Sequence, residues 1–379
     1  MPRPTYIWQL PDWPTFRWDD VALLPRIAEA RHRQGLFLGL MRSVGLDARL
    51  RTELDTLSQD ALKTSAIEGE TLDTDSVRSS VARRLGVGLG VDLGVDDAAP
   101  RDQRAEGLAD ILFDATRHYD APLTEERLFG WHADLFPVAQ TGRHRIDVGC
   151  WRSDRLGAMQ IVSGVYGARP RLHYEAPPAS RVPAEMRRYL DWFNHGSLSL
   201  DPLLRAALAH LWFLTIHPLD DGNGRIGRAI VDLAIAQMER TGSRFYALSA
   251  QIERERKGYY DTLEAAQGGS LDITAWLVWF VDCYSGAIEA AERSTARVLA
   301  RAAFWQAQAG TAPFNERQQA MLGRLLDGFE GHVTARKWAS LGHCSADTAQ
   351  RDIAGLVARG LLIRNEGGSR STSYRFVAT

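Results

Sequence analysis

A single proline, Pro218, separates two apolar helical patterns and leaves a short loop of glycine and charged residues between them. Upstream, Leu204, Leu208, Leu211 and Ile216 recur at helical spacing, so Leu203 to Ile216 predicts a helix. Pro218 lacks an N–H and disfavours helical geometry in His217, which ends that run. A second helix begins near Asn223–Arg225 and continues through Ile230, Leu233 and Ile235. The chain is thereby held to a helix–loop–helix whose loop delivers bare backbone N–H groups at a helix N-terminus, a ready anion site.

The charges in the loop narrow the reading. Arg225 and Arg228 stand three apart, on one face of the second helix's first turn. Positive charge there opposes the helix dipole by about 0.3–1 kcal/mol each. A bound polyanion reverses that penalty, because both guanidinium groups and the N–H groups converge on it. Asp221 offers a hard oxygen to a Mg²⁺ bridging two phosphates. His217 is the group suited to accept a proton near neutral pH. Each feature alone has a structural explanation: a histidine at a helix end, an Asp-Gly-Asn-Gly turn, a solvated arginine face. Together, in this order, they describe a nucleotide phosphate site with a base beside it.

The stretch His217-Pro-Leu-Asp-Asp-Gly-Asn-Gly-Arg-Ile-Gly-Arg228 resembles the signature of Fic-domain proteins, His-Pro-Phe-x-(Asp/Glu)-Gly-Asn-Gly-Arg-x-x-Arg, with Leu219 replacing the usual Phe. The resemblance implies a mainly α fold, a Fic-type helical core with a short β-hairpin flap. It also implies a nucleotidyltransferase that moves AMP from ATP to a Ser, Thr or Tyr hydroxyl of a target protein or of the chain itself. In that reading His217 is the catalytic base and Asp221 the Mg²⁺ ligand. Gly222, Asn223 and Gly224 line the anion hole, Arg225 and Arg228 hold the outer phosphates, and Ile226 and Gly227 complete the nucleotide-binding stretch.

A second motif lies upstream. Leu54, Leu57 and Ala61 predict a helix from Arg51 to Ile67 that Gly69 stops, leaving Glu68 at the end unfavourable for an anion. Thr64-Ser-Ala-Ile-Glu68-Gly69 resembles the family's inhibitory motif, (Ser/Thr)-x-x-x-Glu-(Gly/Asn), which implies that Glu68 pairs with Arg228 and blocks the γ-phosphate. Between Trp151 and Pro178, a β-branched pair, glycines and prolines predict a hairpin. The resemblance makes its 159–165 segment a flap that docks the target by strand addition, with Ile161, Val162, Ser163 and Gly164 beside the nucleotide. Tyr259 and Gln267 fall in a segment similar to the adenine pocket, where relatives often carry Asn in place of Gln267.

Composition bounds the rest. Lysine occurs only at 63, 257 and 337, and no Gly-Lys-Ser/Thr exists, so a Walker-type loop is ruled out and phosphate recognition falls to arginine and helix ends. A net charge of −2 argues against general nucleic-acid or membrane affinity of the whole surface. Cys150, Cys283 and Cys344 form neither a disulfide framework nor a CxxC metal site, and no apolar run has membrane-span length. A reduced, cytoplasmic setting is expected.

Three regions are expected: residues 1–100 helical with the inhibitory helix, 101–305 the catalytic core, and 311–379 a unit resembling a winged helix-turn-helix. Trp8, Trp13 and Trp18 mark an extended aromatic strap on the helices. In the last region Asn315 and Gln318 make a capping-box pattern, helices follow over Val333–Leu341 and from Ser345 to Gly360, and a two-strand wing flanks 367–371. Thr348, Gln350, Arg351 and Arg370 could meet DNA there, although such units also mediate protein contacts, and a homodimer is left open. Two alternatives to AMP transfer accompany this reading. The same site could remove AMP from a target, or the core could serve as a nucleotide sensor for a DNA-binding regulator.

Overall fold

Side-chain caps set many helix starts in the first of two units, Met1–Ala291. The computed structural model describes residues 5–86, 101–137, 140–141, 144–155, 157–163, 171–326, 329, 331–365 and 372–377. Asp19 accepts from the Val21 and Ala22 N–H groups and opens α1 (Asp20–Ser43). α2 (Leu46–Ile67) follows, then α3 (Thr74–Arg84), whose cap Asp73 accepts from the Ser76 N–H. Asp102 caps α4 (Gln103–Arg117) and Thr124 caps α5 (Glu125–Leu135). Such a cap contributes about 1 kcal/mol by satisfying an N–H the helix cannot.

Two short antiparallel pairs come next. β1 (Gln140–Thr141) pairs with β2 (His144–Arg145), and β3 (Gln160–Ser163) pairs with β4 (Arg171–Glu175). In the second pair Ile161 faces Tyr174 and Ser163 faces Arg171, with a register shift between Ile161 and Val162. This is the expected hairpin; Gly164 lies outside the described residues. α6 (Val182–Asp191) runs into a π turn, Trp192–Gly196. The rest of this unit is α7 (Pro202–Ile216), α8 (Asn223–Glu239), α9 (Leu248–Arg254), α10 (Arg256–Gln267) and the start of α11 (Thr274–Gln308).

α7 is buried on every side from Leu203 to Ile216, as an all-round apolar helix must be. Around Trp212 the rings of Trp13, Tyr189 and Trp192 pack with centroids 6.0, 5.7 and 5.1 Å away. The N-terminal aromatics do form a strap, with a 3₁₀ turn at Ile7–Gln9 rather than a fully extended run. Trp8 Nε1 donates to the Glu175 carbonyl at 2.9 Å and Trp13 Nε1 to Glu185 at 3.1 Å. Arg17 then exchanges backbone hydrogen bonds with Leu271 and Ile273.

The second unit, Glu292–Thr379, has its own core of Phe304, Phe314, Leu322, Trp338, Ile353, Leu356 and Leu362. The Asn315–Gln318 capping box forms in both directions and starts α12 (Glu316–Leu326). A two-residue strand, β5 (Val333–Thr334), precedes α13 (Ala335–Leu341), so the helix starts two residues later than the sequence suggests. α14 (Ala346–Ala358) is capped by Ser345, and β6 (Leu362–Arg364) and β7 (Ser373–Phe376) complete an antiparallel sheet of order β5-β7-β6. Arg370 lies outside the described residues.

Candidate active site

α7 stops because His217 takes a left-handed backbone, φ 51° and ψ 59°, with its N–H still bonded to Phe213. Arg152 secures that turn. Its Nε donates to the His217 carbonyl at 2.6 Å and its Nη2 to the Pro177 carbonyl at 2.5 Å, while its own N–H donates to Pro218. Nothing in the sequence pointed to Arg152. Its side chain is fully buried, and burial pulls the guanidinium pKa down.

The loop is closed by its own side chains. Asn223 Oδ1 accepts from the Leu219 N–H at 3.0 Å and Asn223 Nδ2 donates to the Leu219 carbonyl at 2.8 Å. That amide therefore braces the loop from within. Leu219 is fully buried. Gly222 adopts φ +78°, and a Cβ there would lie 2.5 Å from Leu135 Cδ2. No side chain caps α8, so the N–H groups of its first turn are free of a side-chain acceptor.

The two arginines are buried beside this helix end, and both are held by acids. Arg228 Nη2 donates to Glu68 at 2.8 Å and to the Thr64 carbonyl at 2.9 Å, and its Nε donates to the Thr64 hydroxyl at 2.6 Å. Arg225 Nη1 donates to Glu70 at 2.7 Å. Arg228 Nη1 and Arg225 Nε are buried without a hydrogen-bond partner. Buried guanidinium donors normally find an acceptor, so these two hold unused hydrogen-bonding capacity in the place beside the helix end. The Glu68 carboxylate fills part of that place: a Cβ on Gly224 would stand 2.0 Å from Glu68 Oε1.

Burial pushes the His217 imidazole down to about 4, with the nearby Arg152 adding to the shift and Glu68 and Asp221 opposing it. Its Nδ1 lies 3.3 Å from the Leu214 carbonyl, which favours the proton on Nδ1 and leaves the Nε2 lone pair free. Burial pushes Glu68 up, but the charge and hydrogen bond of Arg228 outweigh it, and its carboxyl stays below the usual range. Asp221 is half exposed, and its Oδ1 accepts from the Gly222 N–H at 2.6 Å.

The remaining expected residues divide. Ile161, Val162 and Ser163 lie exposed on β3, whose hairpin is tied to the end of α7 by the Tyr174 hydroxyl donating to the Thr215 carbonyl. Tyr259 and Gln267 are buried: the Tyr259 hydroxyl meets His210 Nε2 at 2.9 Å, and Gln267 Nε2 donates to the Leu214 carbonyl at 3.2 Å. Tyr260, which sequence reasoning passed over, is instead 39% exposed and donates to the Ile67 carbonyl beside Glu68. Ile226 and Gly227 pack inward, Gly227 against His210 and Leu214.

Residues 122–235, which include α5, the β3–β4 hairpin and the whole loop, match the family model described as Fic/DOC. They are a Fic domain. Residues 6–87, from the aromatic strap through the Glu68 helix, match a separate domain of unknown function, DUF4172. The crystal structure of a Fic family protein from Desulfovibrio desulfuricans G20 shares the fold with a TM-score of 0.53 at 20% identity, covering 94% of this chain and 96% of that one. Protein adenylyltransferase fic-1 of Caenorhabditis elegans is 36% identical over 91 residues, 24% of this chain and 17% of that protein. Protein adenylyltransferase Fic of Culex quinquefasciatus is 27% identical over 243 residues, 63% of this chain and 42% of that protein. The chain thus spans less than half the length of these curated relatives around its Fic domain.

Proposed function

We propose that the Fic domain is a protein adenylyltransferase that moves AMP from ATP to a Ser, Thr or Tyr hydroxyl and that Glu68 restrains it. The observation that carries this reading is the pair of buried arginines with unpartnered donors beside an uncapped helix start, next to a histidine kept neutral. In the reaction His217 Nε2 takes the proton of the target hydroxyl as its oxygen bonds to the α-phosphorus. The bond from that phosphorus to the bridging oxygen breaks, and pyrophosphate leaves with the electron pair. Arg225, Arg228 and the first-turn N–H groups of α8 stabilise the charge that develops on the phosphates.

Asp221 would hold Mg²⁺. Among the described residues no group of three or more His, Cys, Asp or Glu could hold a metal ion. One accessible carboxylate fits Mg²⁺, which is commonly held by one or two carboxylates with phosphates and water. When bound, the ion neutralises phosphate charge. β3 supports the flap role, since its residues are exposed and it pairs only with β4 among the described strands. The three-helix, three-strand order of the second unit supports a winged helix-turn-helix, with Gln350 and Arg351 exposed on α14 and Thr348 half-buried beside them. DNA is one partner those side chains suit.

The deciding experiment is mass spectrometry of the full chain after incubation with ATP and Mg²⁺. Glu68→Gly should gain AMP on a hydroxyl residue, the unaltered chain should gain little, and Glu68→Gly with His217→Ala should gain none. An unaltered chain that releases free AMP from an AMP-modified protein with Mg²⁺, where Glu68→Gly does not, would assign the reverse reaction instead, with Glu68 orienting the attacking water.

A further inference from the structure

The end of α2 carries two acids, and only one of them belongs to the inhibitory motif. After Ile67 the chain closes with the Gly69 N–H donating to the Ala66 carbonyl and the Glu70 N–H to the Ser65 carbonyl, with Gly69 at φ +83°. This is the paired 5→2 and 6→1 bonding of a Schellman cap. The cap fixes Glu68 and Glu70 on either side of Gly69. Opposite them, Arg225 and Arg228 sit one turn apart on α8. Glu68 takes Arg228 at 2.8 Å and Glu70 takes Arg225 at 2.7 Å.

We infer that Glu70 is a second inhibitory acid, which holds Arg225 away from the nucleotide as Glu68 holds Arg228. The inference rests on the nucleotide reading of this site. Arg225 is 5% exposed, lies over the Phe136 ring at 5.2 Å, and has Asp221 no nearer than 3.9 Å. Glu70 is therefore the acid in hydrogen-bond contact with it. A guanidinium engaged this way must exchange its carboxylate for a phosphate, so ATP competes with Glu70 as well as with Glu68. Because one cap displays both acids, moving that segment frees both arginines together. Removing Glu68 alone leaves the Arg225 half of the lock in place.

The test compares the full chain as Glu68→Gly, Glu70→Gln and the double variant, with calorimetric affinities for Mg–ATP and for AMP and a thermal melt to confirm folding. The double variant should bind ATP about five- to tenfold more tightly than Glu68→Gly, the size of an ordinary coupling between two sites. It should also label itself faster. AMP lacks the outer phosphates, so its affinity should not follow. Equal ATP affinity and labelling in Glu68→Gly and the double variant, with Glu68→Gly itself active, would overturn the role of Glu70 and leave the proposed function standing. A Glu70→Gln chain that melts lower without any gain in ATP affinity would make Glu70 a structural anchor only. Failure of every variant to bind ATP would remove both readings.

Discussion

At His217, the proposed base, one backbone angle and one desolvated ring set the chemistry. The left-handed turn ends α7, and the Arg152 guanidinium ties that turn to the segment after β4 through the His217 and Pro177 carbonyls. A neutral ring at physiological pH is ready to accept a proton, though its lowered pKa also makes it a weaker base. The sign follows directly: because the folded value sits near 4, the base form persists as pH falls through the ordinary histidine range near 6.5. We expect kcat/KM of the Glu68→Gly chain to hold between pH 5.5 and about 8, with loss only nearer 4.5. A half-loss close to 6.5 would show that the ring titrates as an exposed histidine. The residues from 217 to 228 were legible because their chemistry is packed into twelve consecutive positions. Arg152 and Glu70 were not, since they meet their partners across 65 and 155 residues, and no local pattern encodes such a pairing.

Among the elements, the proposed restraint places control at the end of α2, and that is where substitution should tell. Gly69 at φ +83° allows the cap, and a side chain there costs roughly 1–2 kcal/mol in the left-handed region. Gly69→Ala should loosen both acids at once and raise self-labelling above the unaltered chain while leaving His217 and the loop intact. Labelling no higher than that of the unaltered chain would mean the acids hold without the cap. Several elements were readable for physical reasons. The Asn315–Gln318 box and the Ser345 cap each announce a helix start, and both formed. The strand Val333–Thr334 was missed because two residues are too few to show alternation, and their pairing with β7 is set across the chain. Tyr259 and Gln267 show the opposite limit, because an aromatic or amide at helical spacing reads alike whether it faces a ligand or a neighbouring helix.

Over the whole molecule, the first unit carries a buried ionic cluster that joins α2 to α8. Arg244 Nη2 donates to Asp232 at 2.8 Å, and Asp60 accepts from the Ser249 N–H at 2.8 Å. Burial and the repulsion from Asp60 push Asp232 up to about 8, against the pull of Arg244. A carboxyl raised in the folded state binds more protons there than in the unfolded chain. Its contribution is therefore fully present below about 4 and is lost as pH rises toward 8. Asp232→Asn keeps an acceptor for Arg244 and removes the titration. Denaturant melts at a series of pH values should give a shallower decline between pH 4 and 8 for the variant, and an unchanged slope would place the titration elsewhere. At this scale the helical class was evident from the sequence, and no described helix is long and apolar enough to cross a membrane. The division of α11 between two units was not evident, because its 35 residues run as one helix.

The double amide clasp between Asn223 and Leu219 has a last consequence. It shapes the loop without any ligand, so under the proposed function ATP would meet a ready-made seat and lose little ordering entropy on docking. On the proposed reading, activation would be a matter of eviction rather than assembly: two carboxylates would depart, while the surface they vacate stays as it was.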